Sequence, residues 1–274
     1  MMPSWQFLTY TLNLFIDPDR SSFLHAWSLC VEEQFYLLFP LLALWLIRNA
    51  AWRRGVIVVL ALGLCGVVVR GWLWVHFVHP IEASGGDAQN AYLRFLYYPT
   101  YARLDDLLGG VVLAAARSYN TRGWKWIDRH ANSVAATGVL LIILCMWGFD
   151  GRRMDFAANV VGYPVLAFAM TALVAAASKN GVLAKVRVPG AAWFATASYS
   201  LYLSHKIVYR ELHAQFAPWI NGNSIWTALI YIVAILAIGA ALHYAVGRPF
   251  LKLREPVRRR LSQRRFRRVA DSAV

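Results

Sequence analysis

Trp27-Ser28-Leu29-Cys30-Val31-Glu32-Glu33-Gln34-Phe35-Tyr36-Leu37-Leu38-Phe39-Pro40, running on through apolar residues to Ile47, decides the fold of this chain. Leu37 to Ile47 reads as the body of a membrane helix, yet the turns before it carry two adjacent carboxylates and an amide. At helical spacing Ser28, Glu32 and Tyr36 share one face. Two readings of that face stay open. In the first it points into a bundle, because an ionisable group at membrane depth costs roughly 2.5–3.5 kcal/mol on insertion scales and marks a site. In the second, Glu32 and Glu33 lie in the headgroup layer as an ordinary helix N-terminus, where acids suit the dipole.

The rest of the sequence repeats the apolar pattern. Of 274 residues, 59% are hydrophobic and 12 are Trp, far beyond a soluble domain. The expected fold is therefore all-α, a polytopic transmembrane helical bundle. Seven spans are expected, at Leu29–Ile47, Gly55–Val78, Leu104–Ala116, Ser133–Phe149, Asn159–Ala177, Trp193–His213 and Ser224–Val246. The third is short for a bilayer and is expected to start nearer Tyr97, with a break at Pro99. Trp5 to Ile16 is too short to span and is read as an interfacial or partly buried piece, ended by Asp17-Pro18-Asp19-Arg20. It lacks a basic n-region with a cleavage site, so no signal peptide is expected.

Charge sets the expected orientation. Arg48, Arg53 and Arg54, then Arg117, Arg122, Lys125 and Arg129, then Lys179, Lys185 and Arg187, fall in alternate loops with the C-terminal tail. Glu82, Asp87, Asp150 and Asp155 fall in the others. The positive-inside rule then puts the Glu32–Glu33 end outside and the C-terminus in the cytoplasm. Residues 1–247 read as the membrane domain and 248–274 as a basic tail. The net charge of +14 would suggest nucleic acid in a soluble protein. Here the runs Arg258-Arg259-Arg260 and Arg264 to Arg268 are better explained by anionic membrane lipid, at roughly 1 kcal/mol per base, and no nucleic acid is expected. Cys30, Cys65 and Cys145 all sit in apolar segments without metal-ligand spacing, so they read as packing residues and no metal is expected.

Several groups could carry chemistry. Arg70 lies well inside the second span; it either snorkels outward or pairs with a carboxylate or a ligand phosphate. Arg103 and Asp106, one turn apart, could pair, which leaves Asp105 without a local partner. Gly109, Gly110 and Ala114 offer a small-residue face for close helix contact. Ser198, Tyr202, His205, Tyr209 and His213 fall near one face, either as an interhelical hydrogen-bond stripe or as the lining of a ligand site, with Lys206 and Arg210 beside it. His25, His76 and His79 are outward-facing candidates for a base, each also readable as structural.

Trp27-Ser28-Leu29-x-Val31-Glu32-Glu33-Gln34-Phe35-Tyr36-Leu37-x-x-Pro40 resembles the signature of the acyltransferase-3 family, with Cys30 where the family has Ser or Thr. Arg103-Leu104-Asp105-Asp106 with Gly109-Gly110 resembles its second block. Ser198-Tyr199-x-x-Tyr202-Leu203-x-His205 resembles its third. Gly247-Arg248-Pro249-Phe250 is similar to its closing motif, with Gly247 in place of an acid. The resemblance implies an integral membrane enzyme, in a bacterial inner membrane, that transfers an acyl group, acetyl above all, from acyl-CoA to a carbohydrate or lipid-linked acceptor, with no bound cofactor. It also implies roles. Glu32, Glu33, Arg103 and Asp105 become catalytic candidates; Trp27, Ser28, Tyr36, Arg70, Tyr199, Tyr202 and His205 become substrate-binding ones.

Members of that family carry about a hundred further residues ahead of the first block, including a His regarded as catalytic. Acyl transfer to a hydroxyl needs such a base. The alternative expectation is therefore a catalytically incomplete fragment, or a subunit whose missing helices come from a separate chain. A transporter reading finds neither an inverted repeat nor a matched pair of broken helices.

Overall fold

The computed structural model describes residues 3–16, 24–49, 52–119, 121–178, 181–216, 224–250 and 252. The basic runs beyond Lys252, Asp17 to Arg20 and Lys179 lie outside the described residues. The described chain is helical, with no strand among the described residues. It divides into two compact units, Met1–Val186 and Arg187–Val274.

The first unit holds α1 (Trp27–Asn49), α2 (Trp52–Leu73), α3 (Leu104–Tyr119), the short α4 (Thr121–Arg129), α5 (Ala131–Gly148) and α6 (Tyr163–Ala176). The second holds α7 (Ala191–Phe216) and α8 (Ile225–Leu242). Each expected span corresponds to one of these helices. Among the described residues, five stretches are long and apolar enough to cross a membrane: Leu24–Trp45, Arg54–Ala83, Ala131–Gly148, Ala158–Ala176 and Ile225–Phe250. The other two fall short for different reasons. At 16 residues, α3 rises about 24 Å against a hydrocarbon core of about 30 Å. Helix α7 has 26 residues but is interrupted by Ser, Tyr, His, Lys, Arg and Glu.

The third span does not reach back to Tyr97 as one helix. A π-helical turn at Leu93–Tyr97 is followed by extended backbone at Pro99 and a 3-10 turn at Thr100–Ala102, and only then does α3 begin. Proline cannot donate into a continuing helix, which explains the break. Further π-helical turns extend α2 at Trp74–Val78, open α6 at Ala158–Gly162 and continue α8 at His243–Gly247. Such turns are rare and gather at functional sites.

Two apolar clusters hold the first unit where the site lies. Leu12, Ile16, Ala26, Cys30 and Tyr98 pack into one, so the N-terminal piece is wedged between α1 and the Leu93–Tyr98 segment and does not float on a surface. Leu73, Val78, Tyr92 and Leu96 form the other. Glycines permit the closest approaches. A Cβ on Gly66 would stand 3.2 Å from Leu104 Cβ, which lets the start of α3 lie on α2. On α3, Gly109 packs on Thr171 of α6, whereas Gly110 meets nothing within 4 Å. The small-residue face is thus narrower than the sequence suggests, because consecutive helical residues point about 100° apart.

In the second unit, Ala197, Ser200, Ser204 and Val208 form the buried stripe of α7, and Gly239 of α8 makes room for Leu201.

Candidate active site

Arg70, on the last turn of α2, is buried to 1% exposure, and its Nη2 donates to Asp105 Oδ2 at 2.6 Å. Gly66 lies one turn below Arg70 on the same face, so the close contact it allows with Leu104 is what brings Asp105 into reach. Of the alternatives open for Arg70, the structure shows pairing with a carboxylate. The contact is end-on. Arg70 Nε and Nη1 and Asp105 Oδ1 are buried and have no hydrogen-bond partner.

Arg103 sits just ahead of α3. Its Nε donates to Tyr97 O at 3.0 Å, and its Nη1 donates to Asp106 Oδ2 at 3.3 Å, the expected one-turn pair. Its guanidinium carbon lies 4.6 Å from the ring centre of Tyr97, 4.7 Å from that of Tyr163 and 5.6 Å from that of Trp27. Tyr163 also lies 5.4 Å from the Arg70 guanidinium carbon. The two arginines thus share one aromatic ring, a setting in which desolvated cations gain from the ring quadrupole. The Tyr163 hydroxyl meets the Tyr92 hydroxyl at 2.7 Å. Burial, and then the Tyr163 hydroxyl, push the Tyr92 phenol above its ordinary range.

Two arginines and two aspartates thus meet in this cage. The result is a polar centre walled by aromatic rings, with both arginines buried and Asp106 open to the surface. A cavity of about 140 Å³ lined by Phe149, Asp150, Arg153 and Gly162 has Tyr163 as a common wall with the cage.

A second polar knot ties the N-terminal piece to the site. Thr100 Oγ1 donates to Gln34 Oε1 at 2.5 Å, Gln34 Nε2 donates to Asn13 Oδ1 at 3.0 Å, and Asn13 Nδ2 donates to Thr100 Oγ1 at 2.8 Å. Gln34 Nε2 also donates to Tyr10 O at 2.6 Å. The side of α1 that faces the unit therefore runs through Trp27, Cys30, Val31 and Gln34.

The face through Ser28, Glu32 and Tyr36 turns the other way. Glu32, Glu33 and Tyr36 are exposed and Ser28 is half-buried. Of the expected site residues, the structure brings Trp27, Arg70, Arg103 and Asp105 together and leaves Glu32, Glu33 and Tyr36 on an uncovered side of α1. His25 is buried, and His76 stacks on Trp72 at 4.6 Å while its Nδ1 meets Trp72 O at 2.8 Å. Tyr199, Tyr202 and His205 belong to the second unit. There His205 Nδ1 meets Tyr202 O at 2.6 Å, His213 Nδ1 meets the Tyr231 hydroxyl at 3.1 Å, and Tyr199 is exposed.

Tyr92, Tyr97 and Tyr163 are site residues that sequence reasoning missed. Tyr163 carried one signal, a lone phenol followed by Pro164 inside an apolar run. Among the described residues, no group of three or more His, Cys, Asp or Glu could hold a metal ion.

The chain is 24% identical over 255 residues to the peptidoglycan O-acetyltransferase OatA of Listeria monocytogenes, covering 91% of this chain and 38% of that protein. It is 25% identical over 253 residues to a putative peptidoglycan O-acetyltransferase, YrhL, of Bacillus subtilis, covering 89% of this chain and 37% of that protein. Over 116 residues it is 30% identical to the O-acetyltransferase OatA of Staphylococcus aureus, covering 40% of this chain and 16% of that protein. The chain thus spans less than two-fifths of the length of these curated relatives. No solved structure matches it. The sequence model of the acyltransferase-3 family, described as an acyltransferase domain, matches residues 2–244, and this integral membrane chain belongs to that family.

Proposed function

We propose that the protein is a membrane O-acyltransferase that moves an acetyl group from acyl-CoA to a hydroxyl of a carbohydrate or lipid-linked acceptor. The observation that carries this reading is the cage in which Arg70–Asp105 and Arg103–Asp106 meet around Tyr163, with both arginines buried. Preorganised cations in a water-poor site suit the charge that develops on a carbonyl oxygen in acyl transfer. The names of the relatives, peptidoglycan O-acetyltransferases, favour a cell-wall glycan as acceptor. Alternation of basic and acidic loops supports a bacterial plasma membrane setting with the cage near the outer surface and the C-terminus cytoplasmic. In this reading Trp27 walls the cage, and Tyr199, Tyr202 and His205 of the second unit are substrate-binding candidates.

A second observation bears on the base. Glu32 lies about 12 Å along the helix from Leu24, inside a stretch apolar enough to span, yet it is uncovered. A carboxylate at that depth calls for polar partners. It supports a reading in which further helices, from the same or a separate chain, pack on the Ser28–Glu32–Tyr36 face, bring the base, and leave Glu32 or Glu33 to orient it.

The test is transfer of label from acetyl-CoA to alkali-labile esters on a cell-wall glycan, in membranes containing the protein. Label in the glycan that disappears with Glu32→Gln and Glu33→Gln, at unchanged protein level, is the expected result. No label across a panel of glycan acceptors, with the protein present, would sink the reading.

A further inference from the structure

The Arg70–Asp105 pair uses only half of what its partners offer. One N–H meets one carboxylate oxygen at 2.6 Å, while Arg70 Nε, Arg70 Nη1 and Asp105 Oδ1 are buried without a partner. Native proteins rarely leave buried polar atoms unmatched unless a water or a ligand completes them. An arginine and a carboxylate are also capable of a two-pronged contact, so the end-on geometry leaves donors and an acceptor available side by side.

The charge balance says what kind of guest this is. A diphosphate site needs surplus positive charge, and here Asp105 and Asp106 offset Arg70 and Arg103. Two N–H donors beside one carboxylate oxygen instead match a pair of neutral groups. A carbonyl oxygen accepts from one of the free N–H groups, and a hydroxyl donates to the carboxylate oxygen.

We propose that the unpaired edge of the Arg70–Asp105 pair holds the two reacting groups, with one free Arg70 N–H on the carbonyl oxygen of a thioester donor and Asp105 Oδ1 on the acceptor hydroxyl. This rests on the acyl-transfer reading above and narrows it, because it removes the donor's phosphates from the cage. Tyr163 is the ring that both the Arg70 guanidinium and the neighbouring cavity touch, so the cavity is the side from which these groups arrive.

Arg70→Lys is the discriminating variant. Lysine keeps the positive charge and reaches Asp105 but lacks the planar fork of donors. With the protein in membranes, the expected result is a fall in kcat of about 100-fold or more with the KM for acetyl-CoA within about twofold of wild type. A rise in the acetyl-CoA KM at unchanged kcat would mean that Arg70 holds donor phosphates, and would overturn the proposal. Unchanged kcat and KM would mean that Arg70 only buttresses Asp105, and would overturn it as well. Should Arg70→Lys fail to accumulate, Asp105→Asn carries the same decision. It is expected to raise the acceptor KM by about tenfold or more, and an unmoved acceptor KM speaks against the niche. An inactive wild-type protein overturns the acyl-transfer reading together with the niche, whereas an active wild type with unmoved variants overturns the niche alone.

Discussion

Arg70 and Asp105 are directly paired within an apolar bundle, so removing one is worse than removing both. Arg70→Ala leaves a buried carboxylate without a cation, which typically costs about 3–5 kcal/mol. Arg70→Ala with Asp105→Ala is expected to recover much of that loss, and thermal unfolding in detergent measures the difference. The Tyr92–Tyr163 hydroxyl contact is a smaller matter. Tyr163→Phe keeps the ring under both guanidinium groups and removes a single hydrogen bond, of about 0.5–1.5 kcal/mol. Tyr92→Phe is expected to cost the same, and the double variant no more than either single one, because both remove one shared bond. A double-mutant cycle on the same unfolding measurement checks this.

At the level of helices, α3 offers two adjacent glycines with opposite surroundings. Gly109→Ala drives a methyl into Thr171, whose hydroxyl is already engaged with Ala167 O at 2.8 Å. A loss of about 1–3 kcal/mol is expected from such overpacking. Gly110→Ala meets open space and is expected to be neutral or to gain up to about 1 kcal/mol through helix propensity. Comparing the two variants by unfolding temperature settles which face of α3 carries the contact. The helices themselves were legible in the sequence, since apolar runs bounded by charge give each one away. The departures from regular helix were not. A π turn such as Trp74–Val78 has no distinguishing composition, and only Pro99 announced the break ahead of α3. The site was half legible for a related reason. Arg103 and Asp106 lie one turn apart and could be paired on paper, but Arg70 and Asp105 are 35 positions apart and meet only because Gly66 admits α3. Tyr163 could not have been found by spacing at all, since three separate segments converge on it.

Across the whole molecule, orientation is the property most open to direct test. In a variant lacking Cys30, Cys65 and Cys145, cysteines at Asp87 and Asp155 are expected to react with a membrane-impermeant maleimide in intact cells. A cysteine at Lys125 is expected to react only after permeabilisation. The reverse pattern would invert the topology and put the cage at the inner surface. The π turns carry a further consequence. Trp74–Val78 follows the helix that bears Arg70, Leu93–Tyr97 supplies the carbonyl held by Arg103, and Ala158–Gly162 leads directly into Tyr163. A π turn absorbs one extra residue while the flanking helix keeps its register. Chain length near this centre can therefore change by a single codon, and the local contour of the cage with it, while the scaffold behind stays in place. Lineages carrying this domain have in those three turns a means of reshaping the cage without having to reinvent the bundle.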